Sequence, residues 1–192
     1  MINKSKASDA VAATVERNTA PTDRVRAGGV FHIQCIGPDG NLKWETQSHN
    51  LVVNEGLFYM NEAALGGGSQ ITTWYIGLYG AASSNNPAAG NTMASHAGWT
   101  EETGYSNATR PTCTFGTATT ADPSVISNTA SPASFNINAT AVIGGAFLTS
   151  NDTKGGTTGT LFSAADFAAP GDRSVASGDT LNCVYTFSLD AA

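Results

Sequence analysis

Leu181-Asn182-Cys183-Val184-Tyr185-Thr186-Phe187-Ser188-Leu189, introduced by Gly178-Asp179-Thr180, is the stretch that decides the fold. Leu181, Cys183, Tyr185, Phe187 and Leu189 fall on alternate positions with Asn182, Thr186 and Ser188 between them, the period-2 pattern of a strand with one buried face. Gly178-Asp179 is a strong turn pair directly before it. A strand this rich in aromatic and apolar side chains cannot bury that face alone, so its partners must come from earlier in the chain. The core is therefore closed by the last residues.

The same reading extends backward. Val30-Phe31-His32-Ile33-Gln34-Cys35-Ile36 alternates, Gly37-Pro38-Asp39-Gly40-Asn41 supplies turn chemistry, and Leu42 to Gln47 alternates again, which predicts a β-hairpin. Asn54 is placed to cap a helix from Glu55 to about Leu65, with Leu57, Phe58, Met60, Ala64 and Leu65 as its apolar side and Gly66-Gly67-Gly68 ending it. Trp74 to Tyr79 is apolar on both faces and reads as a central or doubly covered strand. Residues 80–97, rich in Ala, Ser, Asn and Gly, read as a long excursion too polar to pack. Further short strands are expected at Trp99 to Glu102, Pro111 to Thr120, Ser124 to Asn128, Ser134 to Ala139, Ala141 to Leu148 and Thr160 to Phe162. Their spacing of roughly 8–12 residues, punctuated by Asp122-Pro123, Ser131-Pro132 and Pro170-Gly171-Asp172, predicts an all-β fold, an antiparallel β-sandwich or jelly roll with one short helix.

Residues 1–26 read differently. Their large apolar side chains are Ile2, Val11, Val15 and Val25, and residues 8–17 suit either a short helix capped at Ser8 or an extended arm that orders against a partner. Extended, such an arm reaches on the order of 85 Å. The expected organisation is an arm over 1–26 and one domain over 27–192. The arm carries Lys4, Lys6, Arg17, Arg24 and Arg26 against Asp9, Glu16 and Asp23, a net +2, so the body holds −8 of the total −6. An acidic body argues against nucleic acid as a partner, because phosphate binding needs a basic footprint. There is no apolar run near 18 residues, hence no expected membrane partner, and no apolar segment behind Met1-Ile2-Asn3-Lys4 of the kind that directs secretion. Synthesis in a cytoplasm is the expectation. Charged residues are only 12% of the chain, about half the roughly 25% usual for soluble domains.

Chemistry is sparse. Cys35, Cys113 and Cys183 are odd in number, far apart and in phase with apolar neighbours, which points to small buried hydrophobes rather than disulfides. Glu101-Glu102 is an adjacent acidic pair, but neighbours on a strand face opposite ways, so a solvated edge is the expected role. His32, His49 and His96 lack metal-ligand spacing, and Asp166, Asp172, Asp179 and Asp190 sit at expected turns or strand ends. No Gly-x-Ser-x-Gly elbow, phosphate loop or dinucleotide fingerprint occurs. Asn107, Asn138 and Asn151 head glycosylation-like triplets that chance explains in so Asn- and Thr-rich a chain, and of Trp74, Tyr75, Tyr79, Trp99 and Tyr105, which could be imagined as a sugar-stacking platform, two or three are expected simply to fill the core. No catalytic, cofactor or metal site is expected.

Trp74-Tyr75-Ile76-Gly77-Leu78, then Asn91-Thr92-Met93-Ala94-Ser95-His96-Ala97-Gly98-Trp99-Thr100-Glu101, Tyr105, Arg110-Pro111, Ile143-Gly144-Gly145-Ala146-Phe147-Leu148 and Gly178-Asp179-Thr180-Leu181 together resemble a family of small structural proteins from tailed bacteriophages and prophages. The resemblance covers about Leu51 to Leu189. It implies a non-enzymatic capsid decoration, or cement, protein that sits outside the major capsid shell of the virion and bridges capsomers. Its implied partners are the major capsid protein and further copies of itself, as a homodimer or homotrimer. No catalytic residue is carried over from the family. Within the arm, Arg17, Arg24 and Arg26 are the expected contacts to acidic or carbonyl-rich capsid surface. The competing expectations are a tail-fibre or baseplate component that binds a host glycan through residues 80–97, and, more remotely, a small glycan-cleaving enzyme.

Overall fold

The computed structural model describes residues 25–81 and 87–191. The expected arm helix over 8–17, and Arg17 and Arg24, lie outside them. Among the described residues, twelve strands form two antiparallel sheets, with one short helix.

The first sheet is built on the two longest strands, β1 (Val25–Ile36) and β12 (Thr180–Ala191), which run antiparallel from Val25 opposite Ala191 to Ile36 opposite Thr180. β1 thus begins two residues inside the expected arm and takes in Arg26, whose register partner is Asp190. The Gly37 to Asn41 turn joins β1 to β2 (Leu42–His49), as the alternation predicts; Gly40 has φ 79°, and Asp39 Oδ1 accepts the Asn41 amide at 3.1 Å. The other edge of β12 is shared by β7 (Ser124–Ser127), opposite residues 186–189, and β8 (Ala133–Asn136), opposite residues 180–183. Between the two, the fully buried Asn128 takes over the ladder. Its Oδ1 accepts the Tyr185 amide at 2.6 Å and its Nδ2 donates to the Cys183 carbonyl at 3.2 Å.

The second sheet runs β3 (Leu51–Val52), β10 (Leu161–Asp166), β9 (Ala141–Thr149) and β4 (Trp74–Gly80); β5 (Glu101–Glu102) and β6 (Thr112–Cys113) share the far edge of β4, and β11 (Arg173–Val175) pairs with β9. β3 and β11 were not expected, and the strand expected over Pro111 to Thr120 shrinks to two residues. The inner faces share one apolar cluster in which Phe31, Ile33, Leu181 and Tyr185 meet Ile76, Leu78, Ala146 and Leu148. Tyr185 ties the sheets together, because its hydroxyl accepts from Ser163 Oγ on β10 at 3.2 Å and from Asn50 Nδ2 at 2.7 Å. Asn50 Oδ1 in turn accepts the Gly29 amide at 2.6 Å. A Cβ at Gly29 would lie 2.7 Å from the Tyr185 hydroxyl, so the glycine makes room for this node.

β4 is covered on both faces, as its sequence predicts. Its outer face packs Tyr79 with Phe147, Trp99, Met93, Val53, Leu161 and Ala164. Residues 87–97 therefore do not pass idly over the surface. Met93 is 1% exposed, and Asn91 Oδ1 organises the loop by accepting the Trp99 indole N–H at 3.1 Å and the Ala88 amide at 2.9 Å.

The helix α1 (Asn54–Asn61) is shorter than expected and continues as a wider turn over Glu62–Gly66, which Gly67 ends at φ 76°. Val53, not Asn54, occupies the N-cap, with no side-chain cap bond; the Glu55 carboxylate instead accepts the Leu161 amide at 2.9 Å. The residue of α1 buried against the body is Gly56, where a Cβ would come within 2.2 Å of the Phe162 carbonyl. Backbone approach sets this contact, and of the expected apolar side Met60 packs against the core while Phe58, 65% exposed, and Leu65, 89% exposed, face outward.

The buried position of Tyr185 predicts that Tyr185→Ala costs about 3–5 kcal/mol in denaturant unfolding of the isolated protein. Phe187→Ala is expected to cost clearly less, since that ring is only half-buried, resting on Phe162 at the margin of the core. Equal losses at both positions would contradict this placement of the core.

Candidate functional site: a groove beside the chain ends

The basic side chains of the body have structural uses. Residues 27–192 contain four basic side chains, Lys43, Arg110, Lys154 and Arg173, and all four bond internally. Arg110 is fully buried and makes a bidentate pair with Glu101, at 2.8 Å from Nε and 2.6 Å from Nη2. It also donates to the carbonyls of Asn151 and Gly156, while Glu101 accepts the Gly155 amide at 2.8 Å. Glu101 is thus not a solvated edge residue; its side chain is 7% exposed and, with Arg110, holds the glycine-rich loop 150–159 in place. Lys154, in that loop, donates to the Tyr105 carbonyl at 2.7 Å and lies over the Tyr105 ring. The one sequence signal for this buried pair is the scarcity of basic residues in the body.

Lys43 reaches Asp179 Oδ2 at 2.7 Å, and the same oxygen accepts the Ala176 amide at 2.8 Å. Burial opposes ionisation of Asp179, but these two donors outweigh it and hold the carboxyl below its ordinary value. Burial pushes the Cys35 and Cys113 thiols up to about 12 and Cys183 well above its usual value, so all three are poor nucleophiles. They are free and buried, as expected. His96 stacks on Trp99 at 3.9 Å, His32 contacts Glu45 at 3.2 Å, and among the described residues no cluster of His, Cys, Asp or Glu could hold a metal ion. Burial raises the pKa of Asp166, which accepts from the Tyr79 hydroxyl at 3.2 Å. Of the aromatic residues weighed as a sugar platform, Tyr79, Trp99 and Tyr105 are core. Asn107 is committed to Ser134 and Asn136, and Asn151 to Thr153 in its own turn.

What remains is surface. The outer face of the five-stranded sheet presents, by the pleat, Val30, His32 and Gln34 of β1, alternate residues from Thr180 to Asp190 of β12, and Glu45, Gln47 and His49 of β2. Its titratable groups are Arg26, His32, Glu45, His49 and Asp190, with Arg26 and Asp190 facing each other at one end. It is broad and weakly ionic.

At that same end lies an open apolar groove of about 740 Å³. One wall is the start of β1 and the end of β12, through Val25, Ala27, Phe187 and Leu189; the other is the helix, through Leu57, Met60 and Ala64. Tyr59, Met60 and Phe187 also line a smaller cavity of about 200 Å³ beneath it, reaching Tyr185 between the sheets. An aromatic series supports the floor, with Tyr59 on Trp74, Trp74 on Phe162 and Phe162 on Phe187 at 5.3–5.4 Å. Val25 is 71% and Leu57 42% exposed, an unusual amount of open apolar surface for one patch. The groove was not anticipated, because its wall depends on the helix turning its apolar residues outward.

No protein-family model, curated protein or solved structure matches the chain. No helix among the described residues is long and apolar enough to cross a membrane.

Two outcomes are expected. Arg110→Met should destabilise the fold by about 3–5 kcal/mol, because it strands the buried Glu101 carboxylate, and adding Glu101→Leu should recover a large part of that loss in the double variant. Additive losses in a denaturant cycle would show that the pair is not coupled. For Lys43→Met the sign follows from the depressed Asp179 pKa: its contribution is fully present above the unfolded value of about 4 and is lost as pH falls through the folded value. The stability gap between Lys43→Met and the parent should therefore narrow below about pH 4, and a gap that stays constant through acid titration contradicts the assignment.

Proposed function

We propose that this chain is a non-enzymatic structural protein of a bacteriophage virion, a β-sandwich or jelly-roll decoration protein that binds the outside of the major capsid shell and stabilises it by bridging capsomers. The observation that carries this reading is the broad, weakly ionic outer face of the five-stranded sheet on a body whose four cations are all committed internally. Such a face can be covered over a wide area with little charge desolvation, and a body of two cross-tied sheets resists shear between the subunits it spans. The motif resemblance over Leu51 to Leu189 points the same way. Further copies of the chain, paired about a two-fold or three-fold axis of the shell, are the natural self-partner. Arg26, exposed at the end of this face, is the described residue assigned to capsid contact; Arg17 and Arg24 are assigned with it on sequence grounds.

Quantitative mass spectrometry of purified tailless capsids tests this. Copies in numbers comparable to the capsomers, with particles lacking the protein bursting at lower temperature or milder osmotic shock, are the expected result. A handful of copies confined to tails, or particles equally robust without it, would overturn the reading in favour of host adhesion.

A further inference from the structure

A free sheet edge is a template for another strand, and proteins blunt such edges with short strands, lysine, proline or bulges. Most edges here are blunted by length: β3, β5 and β6 have two residues each, β11 has three, and β7 and β8 have four each. β2 differs, with eight residues and neither proline nor glycine among them. It pairs with β1 on one side, and among the described residues no strand lies on its other side. Asn50 donates its amide to the Gly29 carbonyl at 2.9 Å, which makes 29 and 50 a hydrogen-bonded pair of this antiparallel ladder. By alternation Phe31 with Ser48, Ile33 with Thr46 and Cys35 with Trp44 are hydrogen-bonded pairs too, so the amides and carbonyls of Glu45, Gln47 and His49 point away from β1. The defences lie elsewhere. The bulge is at the turn end of the ladder, between Cys35 and Ile36, and Lys43 is drawn to Asp179 at 2.7 Å. The strand is also held from its inner face, where Ser48 Oγ accepts the Ala168 amide at 2.8 Å and the Trp44 indole N–H donates to the Ser174 carbonyl at 3.0 Å.

We propose that the free edge of β2 is the surface through which two copies of this chain pair, edge to edge and antiparallel, about a two-fold axis beside Gln47. Charge selects both the occupant and the register. With Gln47 opposite its own copy, Glu45 falls opposite the partner's His49, and the two-fold axis makes the same complementary pair a second time. Centring the pair on Glu45 would set two carboxylates face to face, and centring it on Thr46 would set Lys43 opposite the partner's His49. Glu45 is already placed for the first arrangement. Its Oε2 accepts from Gln34 Nε2 at 3.2 Å and lies 3.2 Å from His32 Nε2, which leaves Oε1 to accept from the partner's His49. The backbone groups of Glu45, Gln47 and His49 then gain the ladder that β1 cannot give them. A two-fold axis perpendicular to the sheet keeps outward residues on one side, so the two weakly ionic outer faces join into one continuous face. This inference deepens the reading above by naming the surface of self-pairing.

The test uses the isolated full chain, so its failure leaves the capsid reading to be decided separately by the copy number on capsids. One short ladder buries less than a standard interface, and sedimentation equilibrium should show a reversible dimer at protein concentrations on the order of 100 μM. Glu45→Lys sets a cation opposite the partner's His49, and His49→Glu sets two carboxylates opposite each other. Each should weaken the dimer roughly tenfold, and the two changes combined should restore it. Both side chains are exposed, and circular dichroism checks that the fold is kept in all three variants. Gln47→Cys should oxidise to a disulfide-linked dimer whereas Glu45→Cys should not, and the native Cys35, Cys113 and Cys183 are buried and do not compete. A chain that stays monomeric at about 1 mM would overturn the proposal. A dimer indifferent to the single charge changes would overturn it too, assigning self-association to another surface. So would crosslinking through Glu45→Cys in place of Gln47→Cys, because the register would then be a different one.

Discussion

The antiparallel seam between β1 and β12 is the constraint on which the rest of the molecule depends. It joins the two ends of the described chain, so its closure entropy is that of nearly the whole polypeptide, and nothing local can nucleate it. It can form only if the strands gain enough on both sides. β12 gains on its inner face through Leu181, Cys183 and Tyr185, which are fully buried, and on its far edge from two short strands with Asn128 bridging the interval between them. A side-chain amide that replaces a missing stretch of ladder leaves no central backbone group unpaired where β7 ends and β8 has not begun. The Tyr185 hydroxyl then links the seam to the second sheet through Ser163 and to the loop after β2 through Asn50. One residue thus carries core volume, sheet registry and inter-sheet connection.

Much of this was legible in the sequence, and the reason is periodicity. The alternation of 181–189, of 30–36 and of 42–47 identified three strands of the first sheet and their inner faces, and the doubly apolar run at 74–79 identified a covered strand. What periodicity could not reveal is contact made by backbone. The helix pattern rests on side chains, yet Gly56 is what fits under the Phe162 carbonyl, and of the apolar residues that the pattern assigns to the core Met60 reaches it while Leu57, Phe58 and Leu65 are exposed. The loop 87–97 was misread for a related reason. Its composition is polar, but Asn91 satisfies its own loop and the Trp99 indole, which lets Met93 and Trp99 sit inside a segment that looks like surface.

Charge was legible in quantity but not in place. A body of 166 residues with four basic side chains could hold them at the surface for solubility. Instead each one secures a loop or turn: Lys43 the turn before β12, Arg110 and Lys154 the glycine-rich loop, Arg173 the turn at Gly171. The Arg110 and Glu101 pair is largely desolvated, and such a pair adds little over an apolar substitute of equal volume. Its use here is geometric. A planar guanidinium accepted by one carboxylate and two carbonyls fixes a loop that has too few apolar side chains to pack itself.

These internal uses of charge explain why the surfaces left over are what they are. With Lys43, Arg110, Lys154 and Arg173 bonded internally, the outer face of the first sheet keeps Arg26 at its end and has little ionic hydration to lose. The groove follows from the seam as well. Cover thins toward the Val25–Ala191 end of the pair, where Phe187 is only half-buried on Phe162 and Leu189 is 37% exposed. A strand pair extended for the sake of its ladder therefore leaves its last apolar side chains facing a gap, and the helix, held by Gly56, closes only one side of it. The remaining side stays open beside Val25, where the first strand of the seam begins.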